Sequence, residues 1–255
     1  MTRAVLRALE RELLVFARTW RGSAFSAFVQ PILFLAAMGL GLGGLVDEGV
    51  GAGGQLDYLE FVAPGLLAAH ALMATAGEAL WGVMGGVKWM GQFSGMVATP
   101  MTPGDVYGGL VLSAGVRAGL AAVAFLVVAA VLGGVASLWA PLAVVAAVLL
   151  AMVTTAGLAA WSVRRQDDLT FSLIMRLGVI PLFLFSGTFF PVEQLPDVLE
   201  PVVVLSPLWH GVEVARDATT GAIDGWTAVH AAVLVALVLV VLPIGMRGFE
   251  RRLTP

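Results

Sequence analysis

Three ionisable residues, Glu78, Arg117 and Arg176, stand inside long apolar stretches of this chain. Lipid penalises an unpaired charge at such a depth, so these groups must pair, face protein or meet a transported molecule. A structural ion pair between two spans is the plainest use. Contact with a cargo, gating and an ion relay are the functional ones, and spacing alone leaves the pairing open. His70 shares the stretch of Glu78 and has the same need for a polar neighbour.

Other chemistries are poorly supplied. Ser186-Gly187 followed by His210 has two members of a hydrolase triad, but no acid stands at a telling spacing, and serine beside glycine at a helix end is a common stop. Lys88 is the only lysine and follows no phosphate-cradling glycine loop; the run Gly39 to Gly44 has no strand before it and no helix after it. His70, His210 and His230 lie far apart without the clustered ligands a metal needs. With no cysteine there is no thiol chemistry either. No catalytic, cofactor or metal site is therefore expected on this chain.

The elements that carry these residues are set by composition. Of 255 residues, 59% are hydrophobic and 12% charged, against about 25% charged in soluble domains. The expected fold is all-α: one polytopic membrane domain, residues 1–255, with six transmembrane helices. Apolar runs long enough to cross a bilayer of about 30 Å fall at about 24–46, 59–81, 106–134, 138–163, 169–188 and 226–246. Residues 1–21 place Val5, Leu6, Leu9, Leu13 and Phe16 on one face, with Arg7, Arg11, Arg18, Trp20 and Arg21 between and beyond them. That pattern predicts an amphipathic helix lying on an anionic membrane surface. Residues 82–105 read as a loop containing a short helix, and 189–221 as a broken segment that re-enters the outer surface.

Counting Lys and Arg near span ends orients the chain. One set of flanks holds eleven: the five amino-terminal arginines, Lys88, Arg164, Arg165, Arg247, Arg251 and Arg252; the other holds only Arg216. Basic flanks stay cytoplasmic, so both termini are expected inside, in a multi-pass protein of the inner (plasma) membrane. The acidic loop at 47–57 and the segment after residue 188 are then external.

Phe185-Ser186-Gly187-Thr188-Phe189-Phe190-Pro191, with Leu195-Pro196, Ser206-Pro207-Leu208 and Arg216 downstream, and Ala98-Thr99-Pro100-Met101-Thr102-Pro103-Gly104-Asp105 in the first inner loop, resemble the permease subunit of type-2 ABC exporters. That family includes drug, lipo-oligosaccharide and polysaccharide export permeases, and the resemblance covers nearly the whole chain. It implies a non-catalytic permease that docks on a separate ABC ATPase subunit, where ATP and Mg are bound. It also implies a second copy of the permease, giving two permeases and two ATPases.

By the same resemblance, residues 88–105 hold the coupling helix, with Lys88, Trp89, Phe93, Met96, Thr99 and Pro100 as contacts. Gly187, Phe189, Phe190, Pro191, Leu195, Pro196 and Pro207 shape re-entrant external helices. The expected activity is export of an amphiphilic small molecule, drug or lipid-linked glycan. The rival reading is an ion-coupled secondary carrier that uses Glu78, Arg117 or Arg176. Membrane lipid is a partner in either reading; nucleic acid is not.

Overall fold

The computed structural model describes residues 3–37, 58–196 and 198–254, and every regular element among them is helical. Helix α1 spans Arg3–Ala36, α2 Tyr58–Trp89, α3 Gln92–Val97, α4 Pro103–Val131 and α5 Pro141–Ser162. After these come α6 Phe171–Phe185, α7 Glu200–Val204, α8 Pro207–Thr220 and α9 Gly225–Leu253. Four of them, α2, α4, α5 and α9, are long and apolar enough to cross a membrane, and α6 is a shorter apolar helix. The glycine run at 39–44, the acidic loop and the expected end of the first span lie outside the described residues.

Helix starts follow local chemistry. Thr102 caps α4: its Oγ1 accepts from the Asp105 amide at 3.2 Å, and Asp105 Oδ2 accepts from the Thr102 amide at 2.9 Å. Pro103 then fills the first turn, where a missing N–H costs nothing. Asp224 and Thr227 build the same reciprocal cap on α9. Ser206 caps α8 ahead of Pro207, and Gly221 ends that helix at φ 85°.

Several boundaries differ from the sequence expectation. The amphipathic segment does not stop at residue 21, because α1 is one helix of 34 residues. Helix α2 passes the expected end at 81 and runs to Trp89. Its last part is wound as two π turns, Glu78–Gly82 and Gly85–Trp89. The wider winding changes the backbone pairing, and Ser162 Oγ donates to the Leu80 carbonyl there at 2.8 Å. Glycines that look like a break thus sit inside a helix. The basic tail from Arg247 to Arg252 is likewise the last part of α9.

Small residues bring the central helices together. Ala143, Ala147 and Ala151 of α5 are fully buried against α2 and α4, as expected where packing rather than water drives association. Gly245 of α9 leaves room for the Tyr107 ring of α4; a Cβ there would meet Tyr107 Oη at 2.0 Å. The Tyr107 hydroxyl donates to the Ala156 carbonyl at 3.0 Å, tying α4 to α5. Outward faces stay apolar: Val235, Leu239, Val240 and Ile244 of α9 are exposed, as suits contact with lipid.

Candidate functional site

At the basic end, α1 crosses α4 where Gly108 and Gly109 admit it. A Cβ on Gly109 would come within 2.5 Å of Ala8 Cβ. This approach sets the arginines of α1 beside the short helix α3. Arg11 Nη2 donates to Gln92 Oε1 at 2.6 Å, while its Nη1 pairs with Glu12. A groove of about 680 Å3 lies between the two helices, lined by Arg3, Arg7, Arg11, Gln92, Met96, Thr99 and Pro100.

Residues named for coupling separate in space. Met96, Thr99 and Pro100 line the groove, and Trp89 projects from the end of α2 with 58% of its surface exposed. Lys88 Nζ donates to the Gln166 carbonyl, joining the end of α2 to the loop after α5. Phe93 is a correction: only 2% exposed, it packs under Gly86 and against Phe249 at 6.1 Å, so it anchors α3 and offers no outer surface. Arg18 and Arg21 are exposed farther along α1.

Two of the three charges carried by apolar helices meet. Arg117 Nη1 donates to Glu78 Oε1 at 2.7 Å and Nη2 lies 2.6 Å from Oε2, a two-pronged pair that fixes both planes. The pair borders a cavity of about 690 Å3 between α1, α2 and α4, which His70, Glu12 and Trp20 also line. Arg176 does not join it. It stands exposed on α6 within the π turn Met175–Val179, with no ion pair to any described residue.

The opposite end is closed by the broken segment. Gly187, at φ 78°, turns the chain after α6. The next residue presses on α2, where a Cβ on Gly65 would lie 2.8 Å from the Thr188 carbonyl oxygen. Phe189 then packs with Phe183 at 5.3 Å and Phe34 at 6.1 Å. Phe190 joins Val192, Leu195, Val203 and Trp209 in a separate small cluster. Pro191 leads into a single 3-10 turn, Val192–Gln194, Pro196 follows it, and Pro207 starts α8.

Two networks here join residues that the sequence did not pair. Arg216 Nη1 donates to Glu213 Oε1 at 2.7 Å, its Nη2 donates to the Gly187 carbonyl, and its guanidinium lies 4.1 Å over the Phe61 ring. One side chain thus fastens α8 to the Gly187 turn and to α2. The second network is His210 Nδ1 to His230 Nδ1 at 2.8 Å, joining α8 to α9, with Trp209 edge-on to both rings. The i,i+3 spacing of Glu213 and Arg216 on one helix could have signalled the first; nothing in the spacing signals the second. Ser186 Oγ, meanwhile, lies 3.4 Å from Ser206 Oγ, so the serine and His210 have different partners.

Comparison with known proteins bears on this architecture. The ABC-2 type transporter family model matches residues 3–219. Nodulation protein J of Rhizobium leguminosarum bv. viciae is 28% identical over 251 residues, covering 97% of this chain and 94% of the relative. Nodulation protein J of Neorhizobium galegae is 27% identical over the full length of both chains, 100% of each. That of Sinorhizobium fredii is 27% identical, with 92% of this chain and 89% of the relative covered. An all-helical body with several helices apolar enough to span a membrane and a family match along most of its length place the chain in the ABC-2 type transporter family of membrane permeases.

Proposed function

We propose that this chain is the permease subunit of an ATP-driven exporter, paired with a separate ABC ATPase and moving an amphiphile of the lipo-oligosaccharide, drug or lipid-linked glycan type. In this reading the basic end is cytoplasmic and the re-entrant segment external, and two permeases work with two ATPases. ATP and Mg belong to the partner.

The observation that carries the reading is the bond from Arg11 to Gln92. It makes α1 and α3 one platform, with Trp89, Thr99 and Pro100 exposed around it. A partner pressing on α3 therefore moves α1 with it, and α1 continues toward the external end as far as Ala36. Packed helices shift as units, so a small displacement at the platform reaches the bundle.

The test is to express the permease with a candidate ABC ATPase and reconstitute both in liposomes. Co-purification and vanadate-sensitive ATP hydrolysis that depends on the permease support the reading. Transport by the lone chain, driven by a pH gradient, supports the secondary carrier instead.

A further inference from the structure

The cavity between α1, α2 and α4 belongs to neither end of the molecule, and its walls have a direction. Along α2, Leu67 precedes Glu78 by eleven positions, about 16 Å of helix; along α4, Phe125 follows Arg117 by eight, about 12 Å. The two helices run antiparallel, so both walls pass from charged to apolar in the same sense, away from the basic end. Glu12 on α1 sits at the charged end as well. A gradient of this kind matches a molecule with one polar head and one alkyl tail. Its orientation is that of a lipid in the leaflet nearest the basic end.

The charged end also limits the head. Glu78 and Arg117 satisfy each other's charge through two bonds, and Glu12 pairs with Arg11, which leaves no net charge to be neutralised. The outer lone pairs and N–H groups of Glu78 and Arg117 remain, and both side chains keep some exposure. His70, in the same cavity, has no hydrogen-bond partner among the described residues. Donors and acceptors without surplus charge suit hydroxyl and amide groups better than a bare ion.

We propose that this cavity, contained within one permease, is where the exported amphiphile enters from the leaflet at the basic end. Its uncharged hydroxyl- or amide-rich head lies against Glu78, Arg117 and His70, and its chain along Leu67, Ala122 and Phe125. The proposal rests on the permease reading for its cargo, but it concerns a different surface from the ATPase platform.

The probe is dodecyl maltoside carrying a photoreactive diazirine in its chain, applied to the permease and partner ATPase in phosphatidylethanolamine and phosphatidylglycerol nanodiscs. Labelling is expected on α1, α2 and α4 at the cavity. Unlabelled dodecyl maltoside should compete, and dodecyl sulfate or dodecyltrimethylammonium should compete at least tenfold less well.

Ala74→Trp and Ala121→Phe place bulk in the cavity from positions that are not fully buried, and each is expected to cut labelling about tenfold. Their folding is checked by co-purification with the ATPase, and Leu239→Trp on the outward face of α9 should leave labelling unchanged. The proposal is overturned if label spreads equally over α9, if both filled variants fold yet label like the parent, or if phosphatidylethanolamine displaces the probe completely, which would mark a resident lipid. Failure to bind any ATPase with cavity labelling intact would instead refute the permease reading.

Discussion

Arg117 and Glu78 meet through two parallel contacts, of 2.7 and 2.6 Å, across two helices and 39 positions of sequence. Each charge neutralises the other within the apolar helices that carry them. Removing one partner strands the other, so Glu78→Ala and Arg117→Ala are each expected to destabilise the permease by about 1–3 kcal/mol, between the usual values for exposed and buried pairs. The double variant should recover part of that loss. Thermal unfolding in nanodiscs provides the cycle, and strict additivity of the two single changes would contradict the coupling.

Arg216 holds the segment after α6 through its fork and its stacking on Phe61. Lysine cannot reproduce either geometry. Arg216→Lys should therefore loosen the Gly187 turn and α8 together, read as faster amide exchange in both segments, with the α1 to α3 platform unaffected. Exchange confined to α8 would show that the arginine does not fasten the turn.

Phe189 and Phe190 are neighbours with different duties. Phe189 packs against the main core formed by α2, α4 and α5, whereas Phe190 belongs to the small cluster around Val192 and Leu195. Phe190→Asp is expected to impair transport while the ATPase still co-purifies. Phe189→Asp should lower permease yield and thermal stability as well. Equal effects of the two on yield would contradict this division.

The segment around α8 should also respond to acid. Burial holds the His210 imidazole below its usual value, and the His230 ring beside it acts in the same direction, against a smaller opposing backbone hydrogen bond at Val204. A base held low in the fold takes up a proton less readily than it does once the segment opens. Its contribution is therefore complete above the ordinary value of about 6.5 and is lost as pH falls toward the lower folded value. The Glu213 carboxyl, raised by burial, has the opposite slope. Protection of the α8 amides, with the intrinsic exchange rate divided out, should fall below about pH 6 in the parent, and His210→Gln should remove that change. A pH dependence unaltered in His210→Gln would assign it elsewhere.

Much of the architecture was legible because its signals are local. Pro141 marks a helix start, and apolar length alone points to several of the spans; the cap of Thr102 with Asp105 instead starts α4 inside the stretch expected as a loop. The end of α2 was not legible, since Gly82, Gly85 and Gly86 read as a break while the structure winds them into π turns. Phe93 reads as a surface aromatic in a loop, and only the third dimension puts Gly86 and Phe249 around it. Pairings across long separations, such as Glu78 with Arg117 and His210 with His230, leave no periodic trace. Six spans were expected, and the described residues contain four of full length and the shorter α6.

The bond between Arg11 and Gln92 is where force from an ATPase would enter the bundle. Arg11→Glu removes the guanidinium that joins Gln92 and sets a second carboxylate beside Glu12, and is best measured as ATP-driven, vanadate-sensitive transport in liposomes holding the permease and its partner ATPase. Transport should fall at least tenfold while ATP hydrolysis persists, because the partner still turns over but no longer moves α1. Undiminished transport in Arg11→Glu, or transport by the lone permease without ATP, would contradict coupling through this platform.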